Sequence, residues 1–341
     1  MKILIIGGTK FIGPYVVQEL HEKGHEVILF NRGQTTHTFP FKIYSIQGDR
    51  TELLSFKDKL LAFSPDVVID MIPYTESDAK QLANIFRGLV KRIIVISSCD
   101  VYRAYDRLWT VFTDKLMPMP LDETSDLRKE FFPYRKIMNP TPDDWKYYYD
   151  KILVENTIRS YSDIDSTILR LPMVYGSGDY SRIYPYLKRM DDLRPILLDK
   201  NKSVWRFSRG FVEDIAHAIV LSALDTRSGN RIYNVGEISA YSEFEWLKII
   251  GQLADWKNEI IKLSYDKLPA HLKEPELDWN QDLILDTHSI RVELNYKELH
   301  SAENAIKKSI DWLRSHSPTQ IDNTFDYAAE DKAIKRDERH E

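Results

Sequence analysis

The first thirteen residues, Met1–Gly13, read MKILIIGGTKFIG, and this stretch decides the fold. Lys2–Ile6 is a short β-branched apolar run, which predicts a buried parallel strand. Gly7-Gly8-Thr9 predicts a tight turn, and Phe11–Leu20 has the apolar spacing of a helix packed back on that strand. Such a unit suits a dinucleotide, because the free N–H groups and the positive dipole end of the helix attract a pyrophosphate.

The glycine spacing of this turn is incomplete. A G-x-x-G-x-x-G pattern would place glycines at positions 7, 10 and 13, and Lys10 occupies the middle position. An ordinary β–turn–α unit explains the same residues, so the hypothesis of a cofactor site depends on the rest of the chain as well. On that hypothesis, the cofactor-binding residues of the turn are Gly7, Gly8, Thr9, Lys10, Phe11, Ile12 and Gly13.

Length and composition restrict the class of protein. The 341 residues are enough for two domains or for one large α/β domain with an elaboration, and 43% hydrophobic with 29% charged residues is typical of a soluble globular protein. The net charge of -5 argues against a nucleic-acid partner. The single Cys99 excludes an internal disulfide, which favours the cytoplasm. We expect no signal peptide and no membrane segment.

Apolar runs alternate with helical segments of about 10–15 residues along much of the chain, as in βαβ units. The runs that predict further strands are His25–Phe30, Lys42–Ile46, Asp66–Ile72, Arg92–Ser97, Ser166–Leu171 and Ile232–Val235. The predicted fold class is therefore α/β, a doubly wound parallel sheet of about seven strands with a smaller C-terminal substrate lobe.

This fold divides the chain into a dinucleotide-binding domain, a substrate lobe and a tail. The predicted ranges are 1–174 and 206–236 for the domain, 175–205 and 237–316 for the lobe, and 317–341 for the tail. Segment 102–146 interrupts the alternation, is rich in Pro, Tyr, Arg and Asp, and shows no sustained period. A loop of that length with many aromatic residues predicts an ordered lid over the cleft. The charge run at the end predicts a frayed helix or tail.

The end of the second strand bears on the choice of cofactor. NAD sites place an acidic residue there, which accepts a hydrogen bond from the ribose 2′-hydroxyl. This chain has Asn31 followed by Arg32, a pair that suits a 2′-phosphate and so favours NADP(H), with NAD(H) as the alternative. The competing interpretation is an Arg32 side chain in solvent, which would leave the two cofactors nearly equal.

Tyr147 and Lys151 are four residues apart and would share one face of a helix. A tyrosine base at neutral pH needs its pKa lowered from about 10 to about 7, which takes roughly 4 kcal/mol. One positive charge at about 4 Å with an effective dielectric of 20 supplies about that amount. With 19 tyrosines one such match is expected by chance, and Tyr184…Lys188 is a second one that Pro185 disfavours.

A hydroxyl stands at the end of the fifth strand, where ligands bind in open α/β sheets. In Ser97-Ser98-Cys99-Asp100, Ser98 could hydrogen-bond a substrate oxygen while the tyrosine exchanges its proton. Asp100 is either a further acid–base group or a cap. Cys99 is either a nucleophile or, more simply, a small buried residue.

Five ordered motifs resemble the extended short-chain dehydrogenase/reductases, the NAD(P)-dependent epimerase/dehydratase family. They are Gly7-Gly8-x-x-Phe11-Ile12-Gly13, Gly48-Asp49, Ser98-x-x-Val101-Tyr102, Tyr147-x-x-x-Lys151 and Leu169-Arg170-x-Pro172-x-Val174-Tyr175-Gly176. The resemblance spans residues 1–315. It implies a seven-stranded nucleotide-binding sheet, Ser98, Tyr147 and Lys151 in the catalytic positions, and Asp49 beside the adenine, with Arg50 as its neighbour at the cofactor.

Departures from this family pattern bear on the substrate. Met173 stands where sugar-nucleotide members often have Asn, and Phe207 stands where they have an arginine for the diphosphate, with Arg206 and Arg209 close by. These residues, Met173, Arg206 and Arg209, are the candidate substrate contacts. Cys99-Asp100 replaces the Asp-Glu pair of 4,6-dehydratases, which argues against a dehydratase.

The sequence thus predicts an NADP-linked oxidoreductase or epimerase that acts on a hydroxyl or carbonyl carbon of a sugar nucleotide or another small substrate. The rival is a non-catalytic dinucleotide sensor or RNA-binding member, since GGTKFIG followed by NRG also resembles chloroplast stem-loop RNA-binding proteins. No cysteine or histidine pattern predicts a metal site. The apolar stripe Ile152, Leu153 and Ile158 suits either the core or a homodimer surface.

Overall fold

A parallel sheet forms the centre of the computed structural model, which describes residues 1–35, 38–112, 115–275, 277–318 and 325–337. The strands are β1 Lys2–Ile6, β2 Glu26–Asn31, β3 Tyr44–Gln47, β4 Val67–Asp70, β5 Arg92–Ser98, β6 Ser166–Leu171, β7 Met173–Tyr175, β8 Ile196–Asp199, β9 Arg209–Phe211, β10 Arg231–Asn234 and β11 Ile260–Leu263. Seven of them lie in the order β10-β6-β5-β4-β1-β2-β3, and every neighbouring pair is parallel.

Helices follow most of these strands, and short 3₁₀ turns complete the connections. The helices are α1 Ile12–Glu22, α2 Lys57–Ala62, α3 Glu76–Phe86, α4 Arg103–Leu108, α5 Pro133–Met138, α6 Lys151–Arg159, α7 Tyr184–Asp191, α8 Val212–Leu224, α9 Glu243–Leu253, α10 His288–Leu294, α11 Ala302–Ser315 and α12 Tyr327–Asp337. Within the described ranges, no helix has both the length and the hydropathy needed to cross a membrane.

The sheet is covered on both faces because its central strand is apolar on both sides. Ile3 and Ile5 of β1 face a core shared with α1 and α8, while Leu4 and Ile6 face a second core shared with α3 and α6. Successive residues of a strand point to opposite faces, so a continuous apolar run needs a helical layer on each face. The predicted doubly wound α/β fold is confirmed.

The later part of the chain adds two small parallel pairs, β8 with β11 and β7 with β9. The core on the α1 side of the sheet continues into this part, where it includes Met190 of α7, Trp246 of α9 and Ile310 of α11. The predicted lobe therefore shares its hydrophobic core with the nucleotide-binding sheet, and its boundaries stay a prediction. Ile152 and Ile158 of the predicted stripe are buried in the interior.

Segment 102–146 is packed to a greater extent than its sequence suggests. It contains α4 and α5, and Leu121 donates its N–H to the carbonyl oxygen of Ile284 at 2.7 Å. Leu108 and Leu121 are buried with Trp205 in a separate apolar cluster. Apart from residues 113 and 114, which lie outside the described part, this segment is anchored to the later part of the chain.

The last described residues, for which the sequence predicts a frayed helix or tail, form a helix that is docked on the rest of the chain. Residues 327–337 form α12, and Glu330 on this helix is 1% exposed. The Glu330 carboxylate accepts from the Arg189 guanidinium, with Nη2 at 2.6 Å, and lies 3.0 Å from His271 Nε2. Of the two predicted alternatives, a frayed helix or a tail, residues 327–337 form a helix, and ion pairs with residues distant in sequence hold it. Residues 319–324 and 338–341 lie outside the described part.

We expect Glu330→Gln to lower the free energy of unfolding by about 3 kcal/mol, because it removes the carboxylate charge from a buried ion pair with Arg189. The matched control is Asp331→Asn on the same helix, whose ion pair with Arg194 is half-exposed and should contribute about 0–1 kcal/mol. Urea unfolding of both variants measures the difference. Equal losses in the two variants would contradict the docking of α12 through Glu330.

Candidate active site

The turn between β1 and α1 has the backbone of a phosphate-binding loop. Gly7 and Gly8 have φ angles of 99° and 90°, and Phe11, the residue before the helix, has φ 50°. Positive φ is inexpensive for glycine and strained for a bulky residue, so this strongly curved turn concentrates strain at the start of α1. No side chain caps α1, and its first turn carries no acidic residue.

Gly13 allows the start of α1 to approach the turn closely. A Cβ added at Gly13 would lie 2.4 Å from the Cα of Gly8, well inside any real contact. The start of α1 has no side-chain cap beside this tightly packed glycine turn, which fits the pyrophosphate of a dinucleotide. The N–H of Gly13 donates to the carbonyl oxygen of Lys10 at 3.0 Å, and Pro14 has no N–H. Thr9 and Ile12 are half-buried in this turn, and Lys10 is exposed.

The end of β2 presents an amide and a guanidinium. Asn31 Oδ1 accepts from the N–H of Gly33 at 2.8 Å, so its amide oxygen shapes the following turn. Arg32 is exposed, and no described residue accepts a hydrogen bond from its guanidinium. The charge of Arg32 nevertheless helps to lower the pKa of Asp49, after the hydrogen bonds from Thr51. Arg32 and Asp49 thus lie on the same side of the sheet edge.

Arg50 differs from its predicted role as a cofactor contact. Its guanidinium is 7% exposed and donates to Asp70 Oδ2, with Nη2 at 2.5 Å, and to the carbonyl oxygen of Asp78 at 2.9 Å. Two internal carboxylates therefore hold this cation between β4 and α3. The sequence-based assignment failed because Asp70 and Asp78 lie 20 and 28 residues after Arg50, so no local pattern indicates this pairing.

Lys151 lies at the edge of the sheet, 4% exposed. Its Nζ donates to the carbonyl oxygens of Pro73 and Ile96, both at 2.8 Å, which leaves one of its three donors for a ligand. Burial lowers the pKa of Lys151 to about 8, while the Asp100 and Asp70 carboxylates act in the opposite direction. This ammonium is fixed in place between the ends of β4 and β5.

Tyr147 and Lys151 do not share a helix, contrary to the prediction. Tyr147 ends a 3₁₀ turn at Trp145–Tyr147, and α6 begins only at Lys151. Asp150 is the N-cap of α6, since its extended backbone breaks the run and its Oδ1 accepts from the N–H groups of Ile152 and Leu153. The Tyr147 ring instead packs under the Arg135 guanidinium, 4.1 Å from the ring centroid.

Ser98 is the last residue of β5, and Asp100 lies two residues after it. Both line a cavity at this end of the sheet. Ser98 Oγ accepts from the N–H of Asp100 at 3.2 Å and caps the short 3₁₀ turn at Cys99–Val101. Burial raises the pKa of the Cys99 thiol to about 12, which excludes a thiolate nucleophile near neutral pH.

Two phenols that the sequence analysis did not select surround the Asp100 carboxylate. Tyr149 donates its hydroxyl to Asp100 Oδ2 at 2.7 Å, and the Tyr134 hydroxyl lies 3.4 Å from the same oxygen. Arg128 donates to the backbone oxygen of Asp100 and to Asp150 Oδ1. Burial raises the pKa of Asp100 above its ordinary value, partly offset by the Arg128 charge. The insertion thus supplies Arg128 and Tyr134 to this cluster.

The cavity has a volume of about 700 Å³ and extends from the end of β5 into the later part of the chain. Trp205 and Phe207 stack with ring centroids 4.2 Å apart, and Trp279 meets Trp205 edge-on. All three line the cavity together with Ser98 and Tyr134. One part of the cavity is therefore polar and titratable, and another is an aromatic wall.

The structure separates the predicted substrate contacts. Met173 and Arg209 line the cavity, whereas Arg206 is exposed and donates to the carbonyl oxygen of Ala240. Arg209 is 2% exposed and paired with Glu243, with Nη2 and Oε2 2.8 Å apart. Arg209 is the first residue of β9, whereas Arg206 precedes this strand and forms a separate bridge with Ser242, so the two side chains are positioned independently.

Two signals in the sequence could have located the missed residues. Asp150 directly before an apolar-periodic run is a typical N-cap, and it places the helix start at Lys151. The aromatic residues Tyr134 and Tyr149 lie on either side of a Pro- and Asp-rich stretch that turns the chain back on itself. No local pattern shows that both phenols reach Asp100.

The sequence profile of the NAD dependent epimerase/dehydratase family matches residues 3–236. The chain belongs to this family, as the resemblance of its motifs implied.

Several known proteins are similar to this chain. The chloroplast stem-loop binding protein of 41 kDa b from Arabidopsis thaliana is 26% identical over 250 residues, which are 69% of this chain and 58% of that protein. The 2′-dehydrokanamycin reductase of Streptomyces kanamyceticus is 28% identical over 181 residues, 52% of this chain and 44% of the reductase. The match thus spans about half the length of these two relatives.

A solved structure supports the same fold over nearly the whole chain. The UDP-glucose 4-epimerase of Thermotoga maritima, determined with UDP-glucose, superposes with a TM-score of 0.67 at 17% identity. The superposition covers 92% of this chain and 99% of the epimerase chain.

We expect Gly13→Ala to weaken binding of NADP(H) by about tenfold or more, equivalent to at least about 1.4 kcal/mol, because the added Cβ displaces Gly8. Gly24→Ala is the control: Gly24 has φ 78° and open space around it, so that substitution costs about 1–2 kcal/mol of stability and leaves cofactor affinity unchanged. Fluorescence titration with NADPH, alongside thermal unfolding, separates the two effects. Retained affinity in folded Gly13→Ala would contradict the proposed pyrophosphate site.

Proposed function

We propose that this chain is an NAD(P)-dependent oxidoreductase or epimerase that acts on a hydroxyl or carbonyl carbon of a small substrate in the cavity. The observation that carries this proposal is the cavity wall at the end of β5, which Ser98 and Asp100 line and where the buried Lys151 ammonium acts on the Asp100 carboxyl group. In open α/β sheets ligands bind at this edge. When bound, the nicotinamide supplies the chemistry of hydride transfer.

Lys151 and Ser98 have different roles in binding and orienting the ligands. Lys151 retains one free donor on a fixed ammonium, which suits a ribose hydroxyl of the cofactor. Ser98 is half-buried at the cavity wall, where its Oγ accepts from the Asp100 N–H and its hydroxyl proton can be donated to a substrate oxygen. Both groups are held by backbone contacts, so they are oriented before a ligand arrives.

A sugar nucleotide or another small carbonyl or carbinol compound is the proposed substrate class. The Thermotoga maritima epimerase with the same fold was determined with UDP-glucose, and the Streptomyces relative is named as a 2′-dehydrokanamycin reductase. The Trp205–Phe207 stack supplies a flat apolar surface, on which the C–H face of a sugar ring or a planar ketone packs well.

Turnover is tested first with a flat ketone probe, phenanthrenequinone, and with UDP-glucose as the nucleotide-sugar probe. We expect NADPH-dependent reduction of the quinone or nicotinamide reduction by UDP-glucose. Lys151→Met should lower kcat/KM by about 10- to 100-fold, because one charged hydrogen bond contributes about 1.5–3 kcal/mol. A wild-type chain that binds neither NADPH nor NADH would overturn the proposed function.

The proposed cofactor is NADP(H) rather than NAD(H), since Arg32 is exposed and without a hydrogen-bond acceptor among the described residues. A charge-assisted pair between Arg32 and a 2′-phosphate is worth about 1.5–3 kcal/mol, so Arg32→Ala should weaken NADPH binding by about 10- to 100-fold and leave NADH binding unchanged. Arg159→Ala, on the exposed end of α6, is the matched control. Equal affinities of the wild type for NADPH and NADH would contradict the preference.

RNA binding is the second candidate function, because the Arabidopsis relative is named as a stem-loop binding protein. The net charge of -5 provides little attraction for a phosphate backbone, which dominates nucleic-acid affinity. Salt-dependent binding of a stem-loop RNA together with no turnover of either probe would favour this function over the oxidoreductase.

A further inference from the structure

The two oxygens of the Asp100 carboxyl group have different surroundings. Oδ2 accepts from the Tyr149 hydroxyl at 2.7 Å and lies 3.4 Å from the Tyr134 hydroxyl. Oδ1 is buried and has no hydrogen-bond partner among the described residues. A buried carboxylate oxygen without a donor is costly, and such oxygens nearly always have a partner.

Asp100 borders the cavity, although Oδ1 itself is buried. Asp100 is 3% exposed, and what remains open lines the cavity with Ser98 and Tyr134. Tyr149 does not line the cavity, since it is packed behind Asp100 against Tyr74 and Trp145. Because Asp100 lines the cavity beside Ser98, a substrate hydroxyl there would approach Oδ1 from this side.

We propose that Asp100 is the acid–base residue of this site, occupying with Oδ1 the role that Tyr147 was predicted to fill. This inference rests on the proposed function. In the oxidative direction, the substrate O–H bond breaks and its proton goes to Asp100 Oδ1. The C–H bond on the same carbon breaks, its electron pair leaves as hydride to the oxidised nicotinamide, and a C=O bond forms. In the reductive direction, the Asp100 carboxyl returns the proton to the oxygen.

The tyrosines around Asp100 are suited to donate hydrogen bonds and not to act as bases. Burial and the neighbouring Asp100 charge raise the pKa of Tyr134 and of Tyr149, so both phenols stay protonated. Burial raises the pKa of Asp100 above that of an exposed aspartate, which is the direction that suits a carboxyl group in acid–base exchange. The titratable and charged groups that face Asp100 are Cys99, Tyr105, Arg128, Tyr134, Tyr149, Asp150 and Lys151.

Tyr149 is a positioning residue in this arrangement. Its hydroxyl holds Oδ2 and stabilises the carboxylate form, which lowers the pKa of Asp100. Its removal should therefore raise that pKa further while leaving Oδ1 at the cavity. A residue with a purely structural role would change the stability and not the pH dependence of turnover.

The test uses phenanthrenequinone and NADPH with the full chain. Asp100→Asn keeps the size of the side chain and removes the transferable proton, so we expect kcat to fall by about 100-fold or more with little change in KM or in NADPH affinity. Tyr148→Phe, an exposed neighbour of Tyr149, is the matched control and should turn over like the wild type.

The pH profile provides a separate readout that does not depend on the folding of Asp100→Asn. Quinone reduction needs the protonated carboxyl, so kcat should decline as pH rises through the pKa of Asp100. Tyr149→Phe should move this decline to higher pH. An infrared titration of the carboxyl band in the wild type, without any substrate, should show a group with a raised pKa that also moves in Tyr149→Phe.

The outcomes distinguish this inference from the proposed function. If folded Asp100→Asn keeps wild-type kcat and pH profile while Lys151→Met is impaired, the role of Asp100 is wrong and the oxidoreductase stands. Loss of turnover in Tyr147→Phe with an active Asp100→Asn also overturns it. The absence of any carboxyl with a raised pKa in the infrared titration overturns it without reference to turnover. If the wild-type chain binds no nicotinamide cofactor, both the role of Asp100 and the proposed function are wrong.

Discussion

A buried ammonium organises the edge of the sheet at which the cavity opens. Lys151 Nζ joins the carbonyl oxygens of Pro73 and Ile96, so it ties the loop after β4 to the end of β5. Removing a charge from water costs several kcal/mol, and this cost is offset here by two backbone acceptors and by nearby carboxylates such as Asp70. The start of α6, the turn after β5 and the insertion all take their positions around this point.

The sheet could be predicted because each strand and turn is marked by a pattern within a short stretch of sequence. Each central strand is a β-branched apolar run, and the alternation of Ile3 and Ile5 with Leu4 and Ile6 supplies both faces of the core. Glycines mark the turn that leads into α1, and their positive φ angles follow from the curvature of that turn. Periodicity and turn chemistry therefore sufficed for the fold class.

The site was harder to predict because the contacts that position its residues join parts of the chain that are distant in sequence. Spacing alone placed Tyr147 over Lys151, but Asp150 accepts from the N–H of Phe132 and pairs with Arg128, and those contacts set the start of α6. Neither contact leaves a periodic signal. Ser98 at the end of β5 and Asp100 two residues later both line the cavity, because a strand end fixes the position of nearby side chains without long-range information; their roles stay predictions.

The contacts of Glu330 connect the last described helix, α12, to the wall of the cavity. Arg189 and His271, the two partners of Glu330, are themselves part of the cavity wall. The shape of the substrate cavity is therefore set partly by residues more than two hundred positions away from Ser98 in the chain. Sequence changes confined to the C-terminal helix therefore offer a route by which the shape of this cavity can change while the sheet stays the same.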